Sequence, residues 1–257
     1  MKKLVELLSH IPGGRLKGDG DTIITAIEHD SRKVAPGALF VCIAGAHSDG
    51  HDFIPQAAQK GAVAILTERE NVAVPEGVAV VTVPRLREAL VDVVPYFHDY
   101  PARSMRVIGI TGTNGKTTTS YLIRHILRRA GKKVGLIGTI QILIEEERLP
   151  IHNTTPDVID LQALFAKMRN AGMDYVVMEV SSHALDQNRV AGIEFDTAVF
   201  TNLTQDHLDY HRTLENYRRA KEKLFRLAAQ PGAKGSKAVV VNADDEAGRY
   251  MLESEWI

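Results

Sequence analysis

Val107-Ile108-Gly109-Ile110-Thr111-Gly112-Thr113-Asn114-Gly115-Lys116-Thr117-Thr118 is the stretch on which the fold turns. An apolar run ends in a glycine-rich turn, and the turn feeds a segment of helical spacing. That segment, 118–130, is expected to carry Leu122, Ile123, Ile126, Leu127 and Ala130 on one face, with Gly131 stopping it. Strand, tight turn and helix start make a phosphate cradle. Glycines let the backbone fold so that N–H groups converge on phosphate oxygens, and the helix terminus adds a favourable dipole. Within residues 112–118 the candidates are Gly112, Thr113, Asn114, Gly115, Lys116, Thr117 and Thr118. Lys116 would reach the β- and γ-phosphates and the Thr117 hydroxyl would ligate Mg²⁺. Ile110 stands where the pattern G-x-x-x-x-G-K-S/T has its first glycine, so the loop departs from the generic form.

Outward from this loop the chain alternates strands and helices. Strands are expected at 107–111, 133–138, 175–180, 197–201 and 237–242, with helices at 157–171 and 213–228 between them. Thr155-Pro156 reads as an N-cap followed by proline at the first helical position, and Gly172 as the stop. Apolar strands alternating with amphipathic helices predict an α/β fold with a doubly wound, mostly parallel sheet. Ligands of such sheets sit beyond the carboxyl ends of the strands. The polar clusters fall there: 111–118, Thr139, 179–183, 201–207 and 242–245. The first third reads as a small α/β unit, with strands at 38–43, 62–66 and 78–83. The expected domains are 1–84 and 85–257, with the seam anywhere from 84 to 102 because the helical segment 86–96 fits either side.

Composition bounds the rest. The 257 residues are 44% hydrophobic and 25% charged, the balance of a soluble globular protein. Lys+Arg 31 against Asp+Glu 32 gives net −1, which offers no bulk attraction for nucleic acid or an anionic membrane. Cys42 is the one cysteine, so neither an internal disulfide nor a cysteine zinc site is available. No apolar run approaches the roughly 20 residues that span a bilayer. The start Met1-Lys2-Lys3-Leu4-Val5-Glu6 lacks a secretory apolar region. A cytoplasmic, monomeric protein with no nucleic-acid or membrane partner is expected.

The motif Thr111-Gly112-Thr113-Asn114-Gly115-Lys116-Thr117-Thr118 resembles the phosphate loop of the Mur ligases, the ATP-dependent amide-forming enzymes of peptidoglycan synthesis. Asp30-Ser31-Arg32, Pro36-Gly37-Ala38-Leu39-Phe40-Val41 and Asp49-Gly50-His51-Asp52-Phe53 are similar to the uridine-nucleotide-binding first domain of that family. Asn153-Thr154-Thr155-Pro156, the run 179–185 and the run 202–211 resemble its MurE branch, which adds the third stem-peptide residue to UDP-MurNAc-L-Ala-D-Glu. The likeness extends from about Ser31 to about Asp245. It implies an acyl phosphate made from the glutamyl carboxylate and ATP, then displacement of phosphate by an amine. Two anions must meet, so cations have to spread charge. The resemblance gives Thr117 and Thr139 to a first Mg²⁺. Glu179, His207 and Lys221 go to a second, with Lys221 carried as a CO₂-derived carbamate. Lys116, Glu179, His207 and Lys221 are the implied catalytic set. Substrate contacts carry over to Ser31, to the loop Ala46-His47-Ser48, and to Thr154, Thr155, Ser181, Gln187 and Arg189. The amine would come from a diamino acid or L-lysine.

Ordinary readings compete. Ser31 could cap a turn, Thr155 could be an N-cap alone, and Lys221 with Arg218, Arg219 and Lys223 could form a solvated basic helix face. Cys42 reads as core and Glu145-Glu146-Glu147 as a hairpin tip. Glu179 resists an ordinary reading, because a carboxylate ending an apolar strand is costly unless paired. Rival functions are a MurF-type ligase, a non-catalytic UDP-sugar or nucleotide-binding module, and a P-loop kinase or GTPase. The family's third domain, which selects the amino acid, has no counterpart motif here. The expectation is therefore a partial chain with most of an active site and no turnover alone.

Overall fold

The computed structural model describes residues 1–45, 48–151, 153–232, 234–235 and 237–253. The chain divides into two compact units after Tyr100. Helix 86–97 thus belongs to the first unit.

The first unit holds β1 (Lys2–Lys3), α1 (Leu4–Leu8), β2 (Arg15–Lys17), β3 (Ile23–Ile24), β4 (Ala26–Glu28), β5 (Ala38–Val41), α2 (Ile54–Gln59), β6 (Ala62–Thr67), β7 (Ala79–Thr82) and α3 (Leu86–Phe97). Its five-stranded sheet runs β2-β7-β6-β5-β4, parallel except where β2 meets β7. A continuous apolar run is what a strand covered on both faces needs, and all four residues of β5 are buried. Cys42 lies in this core, 1% exposed, and burial pushes its thiol up to about 12.

The second unit holds β8 (Arg106–Thr111), α4 (Lys116–Arg129), β9 (Val134–Ile137), β10 (Ile142–Ile144), β11 (Glu147–Leu149), α5 (Val158–Asn170) and β12 (Tyr175–Glu179). It continues with α6 (Ser182–Asp186), β13 (Thr197–Phe200), α7 (Leu208–His211), α8 (Leu214–Ala229), β14 (Ala238–Val241) and α9 (Glu246–Leu252). The sheet order is β11-β10-β9-β12-β8-β13-β14. Strands β9, β12, β8, β13 and β14 are mutually parallel; β10 and β11 add an antiparallel hairpin whose tip is at Glu145 and Glu146. Side chains alternate between two covered faces. Val107, Val176 and Met178 pack with Leu161 and Phe165 of α5 and Leu224 and Phe225 of α8. Ile108, Ile110 and Val177 pack with Tyr121, Ile123 and Leu127 of α4.

Two local expectations are corrected. Leu122 and Ile126 do not face the core; they are 58% and 65% exposed, and Ala130 is exposed too. The stripe that meets the sheet is Tyr121, Ile123 and Leu127, and positions 122 and 126 each lie about 100° round the helix from 123 and 127, turned away from it. The N-cap of α5 is Asp157, not Thr155. Thr155 lies 1% exposed with its hydroxyl committed to the next strand, so it is unavailable to the helix end.

Pairing β8 with β12 sets Ile110 opposite Glu179, and pairing β13 with β8 and β14 sets Phe200 opposite Thr111 and Val241. The carboxyl ends of the strands therefore form one rim, and the polar clusters gather on it. No helix among the described residues is long and apolar enough to cross a membrane.

Candidate functional site

The glycine-rich loop after β8 is clamped from the end of the neighbouring strand, β13. Thr113 N–H donates to the Asn202 carbonyl at 2.8 Å, and Asn114 N–H to Asn202 Oδ1 at 2.9 Å. The Thr201 hydroxyl donates to the Asn114 carbonyl at 2.6 Å, and Thr204 N–H to Thr113 Oγ1 at 3.0 Å. Asn202 and Thr204, given no role in the sequence reading, thus shape the loop. Two loop N–H groups are spent on this clamp. The backbone donors left over for an anion are then those at the head of α4, where helix geometry leaves N–H groups without intrahelical partners. Gly112 has φ +145°, and a Cβ there would lie 1.9 Å from Thr201 Oγ1, so only glycine lets the two strand ends approach. Lys116 Nζ donates to the Gly112 and Thr113 carbonyls at 2.9 and 2.8 Å. Burial pushes its amine down, opposed by Glu179 and Asp206.

Glu179 is fully buried where the loop meets the next strands. Its Oε2 accepts from the Thr117 and Thr139 hydroxyls, both at 2.9 Å, and Oε1 accepts from Thr139 N–H at 3.0 Å. Three donors offset the cost of burying this carboxylate. Gly138 leaves room for it, since a Cβ would lie 2.4 Å from Oε1. Thr154 Oγ1 lies 3.3 Å from the Thr139 hydroxyl. The backbone of Glu179 faces a second group: Thr155 Oγ1 donates to its carbonyl at 3.0 Å and accepts from Ser181 N–H at 3.1 Å. Ser181 caps α6 by accepting from Ala184 N–H at 3.2 Å. Arg189 donates to Gln187 Oε1 and to the Thr155 carbonyl. Thr117, Thr139, Thr154, Thr155, Glu179, Ser181, Gln187 and Arg189 are therefore one connected cluster.

Lys221 is not part of a solvated face. It is 1% exposed and donates to the Gly112 carbonyl at 2.8 Å, with Nζ 4.1 Å over the Tyr217 ring. Burial first, and the charge of Lys116 second, push its amine down to about 7, against the pull of Asp206. His207 sits at φ +50° before α7, its ring 4.9 Å from that of His183 and 5.9 Å from that of Tyr217. Among the described residues no three His, Cys, Asp or Glu side chains are close enough to share a metal ion. Lys221 as a plain amine is a donor, so the structure brings it to the phosphate loop and not into a finished ligand set with Glu179 and His207. Tyr210 and Asp186, also unassigned by the sequence, adjoin Gln187.

In the first unit Ser31 is buried and its hydroxyl donates to Gln56 Oε1 at 2.6 Å. Ala46 and His47 lie outside the described residues. Ser48 is exposed, and its carbonyl accepts from Gly45 N–H at 2.9 Å.

Comparison with known proteins gives this arrangement relatives. The pattern described as Mur ligase middle domain matches residues 110–255, and that described as Mur ligase family, catalytic domain, matches residues 23–104. The UDP-N-acetylmuramoyl-L-alanyl-D-glutamate–2,6-diaminopimelate ligase of Geobacillus thermodenitrificans is 49% identical over 250 residues, 96% of this chain and 50% of that protein. The enzyme of the same name from Bacillus cereus is 50% identical over 232 residues, 90% of this chain and 47% of that one. A solved structure of a ligase of that name superposes with TM-score 0.77 at 29% identity, covering 98% of this chain and 49% of that one. MurF ligase from Thermotoga maritima, solved in complex with ADP, superposes with TM-score 0.61 at 25% identity, covering 89% and 49%. The chain spans about half the length of the curated relatives it matches.

Proposed function

The chain belongs to the Mur ligase family, and from that premise we propose that it carries the nucleotide and muramoyl-peptide sites of an ATP-dependent ligase. The reaction is addition of 2,6-diaminopimelate to UDP-MurNAc-L-Ala-D-Glu, the activity in the names of the relatives. The observation that carries this reading is Glu179. Its carboxylate binds the Thr117 and Thr139 hydroxyls and its carbonyl binds Thr155, so one residue joins the nucleotide side to the peptide side.

In this reading a glutamyl carboxylate oxygen bonds to the γ-phosphorus of ATP and ADP leaves. The amine nitrogen then bonds to the acyl carbon, inorganic phosphate leaves and the nitrogen loses a proton. Lys116 and the head of α4 hold the phosphates. Arg189, with Thr155 and Ser181, holds anionic and polar groups of the muramoyl-peptide. Hydroxyls and a buried carboxylate are hard oxygen donors, so Thr117, Thr139 and Glu179 suit Mg²⁺. That ion would neutralise charge on the transferring phosphoryl group. Lys221, with its amine lowered to about 7, is poised to take CO₂ in its neutral form: the nitrogen lone pair bonds the carbon, one proton leaves the nitrogen, and the neutral amine becomes a carboxylate-like carbamate that would join His207.

The full-length protein tests this. Phosphate release is expected to require ATP, Mg²⁺, UDP-MurNAc-L-Ala-D-Glu and diaminopimelate together. Turnover only with the muramoyl-tripeptide and a dipeptide would overturn it in favour of a MurF-type ligase; turnover with L-lysine alone would overturn the choice of amine.

A further inference from the structure

The Arg189 guanidinium is fixed by its neighbours. Nε and Nη2 both donate to Gln187 Oε1, at 3.0 and 2.6 Å, and Nη1 donates to the Thr155 carbonyl at 3.2 Å. One N–H on each terminal nitrogen is left over, a pair that suits a carboxylate or phosphate. Two donations to Oε1 require Gln187 to turn its carbonyl end to the arginine. A side-chain amide is nearly symmetric in shape, so the partner at its other end decides which way it faces.

That partner is Tyr210. Gln187 Nε2 donates to Tyr210 Oη at 3.3 Å, and Oη donates to Asp186 Oδ2 at 3.1 Å. Asp186 can only accept, because the Lys223 ammonium, donating to Oδ1 at 2.9 Å, holds its carboxyl below the usual range, helped by Tyr210. The tyrosine proton is thus committed to Asp186, and its oxygen is left as an acceptor. Only the NH₂ end of Gln187 can face it. The polarity runs one way, from Arg189 through Gln187 and Tyr210 to Asp186. Tyr210 itself is held: α7 lies between His207 at φ +50° and Arg212 at φ +68°, and its last residue, His211, meets Ser182 Oγ at 2.9 Å.

We propose that Tyr210 is a positioning residue that, through Gln187, sets the orientation in which Arg189 grips an anionic group of the muramoyl-peptide substrate. The proposal rests on the reading that Arg189 binds this substrate. A phenol hydroxyl 21 residues along the chain from Arg189 then tunes affinity without touching the ligand.

Calorimetry and steady-state kinetics on the full-length protein test it. Tyr210→Phe is expected to raise the Kd and KM for UDP-MurNAc-L-Ala-D-Glu about five- to tenfold, the effect of one hydrogen bond. Values of kcat and of KM for ATP stay within about twofold, a split that general loosening would not give. In a Gln187→Ala background Tyr210→Phe is expected to add almost nothing, because the path through Gln187 is already cut. UDP-GlcNAc, which carries the diphosphate and no carboxylate, separates the anions. Weakening of both ligands assigns the grip to the diphosphate, and weakening of the dipeptide form alone assigns it to a carboxylate; either supports the proposal. An unchanged Kd in Tyr210→Phe, or a full additive effect on Gln187→Ala, overturns it. An unchanged Kd in Arg189→Lys removes the underlying reading, and the inference with it.

Discussion

Lys221 is where a single residue has most to say about pH. A free lysine titrates near 10.5, and this one near 7, with burial the main cause. Between those values the unfolded chain holds a proton that the folded chain does not, so stability rises as pH climbs through the window and is least below it. Denaturant titrations at pH 6.5 and pH 9 are expected to give the greater stability at pH 9, with the difference much reduced in Lys221→Met. Equal slopes in both proteins would refute the buried amine. The same substitution separates its roles: Lys221→Ala in the full-length protein is expected to cost far more turnover than ATP affinity, with partial rescue by short-chain acids. Gly138→Ala tests the neighbouring carboxylate. Its methyl group would displace Glu179, and Mg·ATP affinity is expected to fall at least tenfold while UDP-MurNAc-L-Ala-D-Glu binding changes less. Cys42, buried with its thiol at about 12, is expected to resist iodoacetamide until the protein unfolds.

Elements divide between those that sequence pattern reveals and those that packing decides. The parallel strands of the second unit were legible as apolar runs bounded by polar strand ends; β9, β12, β8 and β13 are largely buried, while the edge strand β14 is exposed at Ala238 and Val240. Much of the site was legible for the same reason, since Thr117, Thr139, Glu179 and Ser181 all follow or end such runs. The short pieces β1 to β4 were not, because two or three residues carry no periodicity. Helix α4 was placed correctly but rotated wrongly: apolar residues on both sides of its true stripe made the broader face look plausible. Replacing Leu122 and Ile126 together by Gln is expected to change stability by less than about 0.5 kcal/mol. Ile123→Ala, on the packed stripe, is expected to cost about 1–2 kcal/mol, both read by urea denaturation. Tyr210 was hidden for a different reason. Nothing in a sequence says that its hydroxyl will meet an amide 23 residues away.

At the scale of the whole molecule, each unit has its own sheet and its own core. In the first unit the acid response is expected to run through two carboxylates. Asp30, held by Arg32, and Asp49, held by His51 and Arg69, are both lowered to about 2 and both lie in the first unit. Their contribution is complete above the ordinary carboxylate range and is lost as pH falls towards 2. Hydrogen exchange at pH 4.5 and pH 2.5 is expected to show protection lost around Asp49–Phe53. Protection unchanged at pH 2.5 would refute the coupling.

The clamp on the phosphate loop also has a consequence in time. Thr113 and Asn114 are held by Thr201, Asn202 and Thr204, about 90 residues further on. A ribosome delivers residues in order, at roughly 5–20 per second. The glycine turn therefore emerges seconds before the strand end that shapes it. Through that interval a nascent chain can form β8 and α4 yet hold its turn open, so the nucleotide affinity proposed for this loop is expected only after residue 204 has been delivered.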